Sequence, residues 1–102
     1  MVDLVKSRRS EVADLCRRYG VRKLEVFGSA ANESFDPAHS DVDLLVEFES
    51  MPPGAHSRAY FGLWFGLQDL FERNVDLVEA PAVTNPYFLQ AIGSSRRVLY
   101  AA

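Results

Sequence analysis

The segment from Asp41 to Phe48 constrains the fold of this chain more than any other, because its residues alternate in kind. Val42, Leu44, Val46 and Phe48 take even positions, while Asp41, Asp43 and Glu47 take odd ones. A period of two sets these groups on opposite sides of an extended backbone, which predicts a strand with an apolar face and an acidic one. A competing reading exists, since Ser40 followed three residues later by Asp43 resembles a helix capping box. The alternation and the β-branched valines favour the strand.

The flanking patterns suit such a strand. Residues 4–19 place Val12, Leu15, Cys16 and Tyr19 at helical spacing, with Gly20 positioned as a C-terminal cap. Lys23 to Phe27 alternates charged and apolar residues before Gly28, which predicts a short strand ending in a sharp turn. Residues 30–40 are expected to hold one helical turn and then a loop. Met51 to His56, with two prolines and a glycine, reads as a loop. Ser57 to Arg73 is a second long helix whose main apolar stripe is Tyr60, Leu63, Trp64, Leu67, Leu70 and Phe71. Phe61 and Phe65 lie toward another side, as core or as an interface for a second copy or a partner. Val75 to Val78 predicts a strand, Asn85-Pro86 opens a short helix, and Arg97 to Tyr100 is a closing strand. The order points to a small mixed β-sheet backed by helices, class α/β or α+β, in one domain spanning residues 1–102.

Composition narrows the function classes. Hydrophobic residues at 48% and charged residues at 25% exclude a disordered or collagen-like chain. A net charge of -3 gives no broad cationic field, so strong non-specific nucleic-acid binding is not expected and a phosphate would have to be gripped locally. The single cysteine, Cys16, falls on the buried stripe of the first helix and reads as a small hydrophobe. The N-terminus lacks the apolar core of a signal peptide, and the longest apolar run, Ala59 to Leu67, is half of what a membrane span needs. A cytoplasmic protein without membrane association is the expectation. His39 and His56 stand isolated without metal-ligand spacing and read as exposed loop residues. The clusters Arg17, Arg18, Arg22, Lys23 and Arg96-Arg97 read as solvated surface.

Two carboxylates one residue apart on a strand point the same way, with α-carbons about 6.6 Å apart, and can share a metal ion or a close pair of ions. The same spacing also fits a solvated strand face. Gly28 would let the chain approach a ligand closely, and Ser29 offers amide and hydroxyl donors to a phosphate, or a plain helix cap. Asp76 interrupts an otherwise apolar strand, where an unpaired charge is costly unless the strand lies at a wet edge.

Taken together, Val26-Phe27-Gly28-Ser29, then Ser40-Asp41-Val42-Asp43-Leu44-Leu45-Val46-Glu47-Phe48, then Val75-Asp76-Leu77-Val78 resembles the minimal nucleotidyltransferase family. That family belongs to the DNA polymerase beta superfamily and includes the antitoxins paired with HEPN-domain toxins. The resemblance covers nearly the whole chain. It implies the nucleotidyltransferase fold, with Asp41 and Asp43 holding two Mg²⁺ ions and Asp76 holding the ion nearest the attacking hydroxyl and taking its proton. It also implies that Gly28 and Ser29 cradle the β- and γ-phosphates of ATP, with Asn32 and Ser40 completing the nucleotide site. The implied reaction is attack of a hydroxyl on the α-phosphorus, releasing pyrophosphate and leaving AMP on the acceptor. The implied acceptor is a tyrosine of a HEPN-domain toxin. The chain departs from the family's Gly-Ser-x-Ala-Arg-Gly pattern, reading Gly28-Ser29-Ala30-Ala31-Asn32-Glu33. A cation is lost and an acid gained near the phosphate site, and an amide such as Asn32 holds phosphate less well than a guanidinium. An active transferase working on a partner in trans therefore competes with an antitoxin or scaffold of the same fold that acts by binding. A divalent-ion or nucleotide sensor is the third reading.

Overall fold

The computed structural model describes residues 2–31, 36, 40–80, 85–93 and 95–102, with every side chain in them except that of Ile92. The alternating segment is a strand, Val42–Phe48 (β2), and the capping-box alternative is excluded. It pairs antiparallel with Val21–Phe27 (β1), in a register that sets Leu24 opposite Val46, Val26 opposite Leu44 and Phe27 opposite Asp43. On its other side β2 runs parallel to Val75–Glu79 (β3), with Asp43 opposite Asp76. Arg97–Ala101 (β4) closes the far edge against β1, giving the strand order β3-β2-β1-β4. The sheet is mixed and the class is α+β, as the patterns required.

Three helices cover one face of the sheet. Asp3–Lys6 (α1) and Arg9–Arg18 (α2) replace the single helix expected over residues 4–19. The break falls at Ser7-Arg8, where the Ser7 hydroxyl turns back to the Leu4 carbonyl at 3.4 Å and competes with the helical ladder. Both buried valines, Val5 and Val12, still reach the core. Gly20 follows α2 at φ 69°, the left-handed conformation that ends a helix.

The third helix, Pro53–Phe71 (α3), starts four residues earlier than expected. Pro52 is extended, with ψ 150°, as a residue before proline must be, and Pro53 then occupies the first helical turn, where its missing N–H is no loss. The two prolines mark a helix start rather than a loop. Leu63, Leu67 and Phe71 enter the core with Val12, Cys16, Leu24, Val26, Val42, Leu44, Val46, Val75 and Leu77. Cys16 is fully buried, and burial pushes its thiol up to about 12, so it is an inert hydrophobe.

Tyr60 and Trp64 do more than fill the core stripe assigned to them. With His56 and Gln68 they form a row at four-residue spacing that fastens α3 along the outer edge of β3. The Tyr60 hydroxyl donates to the Leu77 carbonyl at 2.5 Å and Trp64 Nε1 to the Val75 carbonyl at 2.8 Å, while the Val75 N–H donates to Gln68 Oε1 at 3.2 Å. The His56 ring nitrogen meets Glu79 Oε1 at 2.8 Å, so this histidine is half-buried and partnered rather than an exposed loop residue. A sheet edge that would otherwise offer free backbone groups is thereby covered.

Among the described residues the opposite face of the sheet is only partly covered. Pro86–Gly93 (α4), capped by Asn85 Oδ1 on the Tyr87 and Phe88 N–H groups, lays Phe88 edge-on against Phe27 and packs on Leu45 and Val78. Arg17, Arg18, Arg22 and Arg97 are exposed, as expected, and several of the surface arginines also meet acids. Arg96 meets the buried Glu25 at 3.1 Å, Arg22 reaches Glu47 and Glu49, and Arg17 meets Asp14. No helix of the described residues is long and apolar enough to cross a membrane.

Candidate active site

The acidic residues lie on the open face, at the end of the sheet where β1 stops and β2 and β3 begin. Because Asp43 and Asp76 are in register on neighbouring parallel strands, their side chains leave the sheet on the same side. Asp41 sits one residue ahead of β2 rather than within it, exposed and held by Asn74, whose side-chain amide donates to Asp41 Oδ2 at 3.2 Å. The Asn74 carbonyl also accepts the Val42 N–H at 3.2 Å, so one residue ties the start of β2 to the start of β3. Sequence reasoning missed Asn74. Its only signal was its position two residues before Asp76 in a turn, where an asparagine is ordinary.

Gly28 supports the third side of this cluster. It follows Phe27, the register partner of Asp43, at φ 68°, and a Cβ there would lie 2.6 Å from Asp43 Oδ2. Any other residue would strain the backbone and push the Asp43 carboxylate aside. Gly28–Ala31 forms a short 3₁₀ turn that buries Ala30 and Ala31 and leaves Ser29 half-exposed beside the acids.

Asp43 feels both of its acidic neighbours. Burial first, then the charges of Asp76 and Asp41, push the Asp43 carboxyl above its ordinary range. Asp76 is exposed, since β3 is an edge strand, so the burial argument for a counter-ion at Asp76 does not hold. What remains is the shared face and the mutual repulsion. Among the described residues no three His, Cys, Asp or Glu side chains are gathered closely enough to hold a metal ion. The donor set nevertheless has the chemistry of a hard dication site: three carboxylates, all oxygen, at one end of the sheet, with the charges of Asp76 and Asp41 adding to burial in raising Asp43.

Ser40 is turned to a structural task in this state. Its hydroxyl accepts the Asp36 N–H at 2.9 Å, its own N–H donates to the Asp36 carbonyl at 2.8 Å, and its carbonyl accepts from Arg73 at 3.2 Å. Asn32, Glu33 and His39 lie outside the described residues.

Between the acids and α3 runs an open cleft of about 490 Å³, lined by Asp41, Asn74 and Asp76 on one side and by Tyr60, Phe61 and Trp64 on the other. With the polar ends of Tyr60 and Trp64 engaged on β3, the wall facing the acids is aromatic. A larger groove of about 730 Å³ lies away from the acids, between α2 and α3. Its acids are Glu11 and Asp14, both paired with arginines on α2 or at its start, and Asp69, whereas Asp41 and Asp76 of the acidic sheet end line the smaller cleft.

Comparison with known proteins identifies the family and the fold. The family model described as "Nucleotidyltransferase domain" matches residues 10–99. A protein of Methanocaldococcus jannaschii, provisionally named a protein adenylyltransferase, is 37% identical over 92 residues, covering 81% of this chain and 89% of the relative. A solved structure provisionally described as a minimal nucleotidyltransferase shares 31% identity, with a TM-score of 0.70 over 94% of this chain and 95% of its own. The fold also matches, at 17% identity and a TM-score of 0.65, a complex of tri-AMPylated HEPN toxin with its MNT antitoxin from Shewanella oneidensis. That match covers 96% of this chain and 73% of the other.

Proposed function

The chain belongs to the nucleotidyltransferase domain family, and from that premise we propose that it moves AMP from ATP to a hydroxyl of a partner protein, a HEPN-domain toxin, and so acts as an antitoxin. The observation that carries this reading is the in-register pair Asp43 and Asp76, with Gly28 backed against Asp43 and Asp41 at the same sheet end. The relative named for adenylyl transfer to protein supports the reaction type. The solved complexes of similar fold, one with an AMPylated HEPN toxin and one with AMP-PNP, support the partner and the nucleotide.

In this reading Asp41, Asp43 and Asp76 hold Mg²⁺, which supplies charge neutralisation at the phosphates and at the attacking oxygen. The chain's own residues do the rest. The Ser29 hydroxyl and the backbone of the Gly28 turn hold the terminal phosphates, which sets the α-phosphorus over the sheet end, and the family resemblance adds Asn32 and Ser40 to the nucleotide-binding set. Asp76, exposed at the edge strand, accepts the proton of the acceptor hydroxyl, which enters along the aromatic cleft. Asn74 positions Asp41. The acceptor comes from another chain, and the transferred group is AMP because attack at the α-phosphorus expels pyrophosphate.

One observation favours a second reading. Asn32-Glu33 replaces a cation with an amide and an acid next to the phosphate turn, which weakens the hold on a nucleotide and suits an antitoxin that acts by binding. The test is incubation with ATP labelled at the α-phosphate, Mg²⁺ and the product of the adjacent gene as the proposed HEPN-domain partner. Label on the partner that disappears with Asp41→Asn or Asp43→Asn establishes the transferase. Tight complex formation with an unlabelled partner establishes the second reading.

A further inference from the structure

Three sides of α3 have partners. Leu63, Leu67 and Phe71 face the core, the row from His56 to Gln68 faces β3, and Gly62 and Gly66 let Tyr19 and Leu15 of α2 come into contact. The fourth side carries Arg58, Phe61, Phe65 and Asp69, which at 3.6 residues per turn fall within an arc of about 80°. Phe61 is 54% and Phe65 60% exposed, although each ring already leans on a neighbour, Tyr60 and Trp64 respectively. Arg58 and Asp69 make no ion pair among the described residues.

The stripe is self-complementary. Phe61 and Phe65 stand two residues before and after Leu63, and Arg58 and Asp69 stand five before and six after it. A second α3 laid antiparallel across a two-fold axis near Leu63 sets each Phe61 against a Phe65 and each Arg58 beside an Asp69. The parallel arrangement sets Arg58 against Arg58 and is repelled. An unrelated partner has no need of this balance of charge about a central aromatic pair, and a second copy does.

We propose that this face of α3 joins two copies of the chain as an antiparallel helix pair. The interface is small: four half-exposed phenylalanines supply on the order of 400 Å² of aromatic surface, well below a standard interface, so the dimer is weak and concentration-dependent. Phe61 also lines the cleft beside Asp41 and Asp76, so pairing fixes the ring that walls the acid site.

Sedimentation equilibrium of the full chain at low salt, from micromolar to near-millimolar concentration, tests this. The expected mass rises from that of one chain, 11.4 kDa, toward twice that value. Phe65→Glu, on an exposed position that leaves the circular dichroism spectrum unchanged, weakens association by at least about tenfold. Arg58→Glu and Asp69→Arg each weaken it by about tenfold, and an equimolar mixture of those two variants regains the wild-type affinity, because the mixed dimer restores both ion pairs. A wild-type mass fixed at one chain overturns the proposal. So does a dimer indifferent to Phe65→Glu, or a mixture that associates no better than its components.

Discussion

Gly28→Ala separates the two demands that the turn places on its residue. The first is conformational: at φ 68° an alanine costs about 1–2 kcal/mol, which in a domain of this size lowers the melting midpoint by about 4–8 °C per kcal/mol. The second is contact. A methyl group 2.6 Å from Asp43 Oδ2 must drive that carboxylate back by about 1 Å to reach ordinary separation. The carboxylate is the end of a side chain and can yield, so the stability loss stays near the conformational value. The displacement falls on an acid of the proposed centre, where about 1 Å costs on the order of 100-fold in rate. Gly20→Ala is the control, since Gly20 has φ 69° and its added Cβ meets only the flexible tip of Met51, at 3.1 Å. Both variants are measured by thermal unfolding and by AMP transfer from labelled ATP. The expected result is a similar loss of stability in both, with transfer lost only in Gly28→Ala. Equal transfer activity in the two variants would refute the link between Gly28 and Asp43.

Asp43→Asn should raise the melting midpoint in metal-free buffer at pH 7 while abolishing transfer. The folded state raises the Asp43 pKa, so its ionisation opposes folding above that raised value. The advantage of the variant fades as pH falls through the raised folded value toward the unfolded one, and a pH series of melting curves checks the sign. Mg²⁺ should stabilise the wild type and leave Asp43→Asn nearly unmoved, read as the shift of midpoint with added ion. Trp64→Phe removes the donor to the Val75 carbonyl and should cost about 1 kcal/mol in urea unfolding, without altering the fold by circular dichroism. Glu72→Gly relieves a non-glycine residue at φ 53° after α3 and should add about 1 kcal/mol of stability, seen as a higher urea midpoint.

The sheet was legible where a single rule governs a segment. Alternation fixed β2, and the register of β2 with β3 then placed Asp43 and Asp76 on one face, as expected. Asp76 shows the limit of that reasoning. An acid among apolar neighbours looks buried in one dimension, but whether its strand is central or at an edge depends on pairing that local pattern does not encode. Pro52-Pro53 was ambiguous for a related reason, since proline disrupts a helix interior and favours its first turn. Tyr60 and Trp64 were recognised as inward-facing, yet their polar ends bond to a strand edge that the sequence does not mark. The break at Ser7 and the grip of Asn74 on Asp41 rest on single hydrogen bonds, which carry no periodic signal.

The most direct test of the acidic centre compares two samples of ATP, one labelled at the α-phosphate and one at the γ-phosphate, each given to the chain with Mg²⁺ and the proposed HEPN-domain partner. Only the α-label is expected on the partner, with release of pyrophosphate, and Asp43→Asn is expected to transfer neither. Label from the γ-position on the partner, or undiminished α-label with Asp43→Asn, would contradict that expectation.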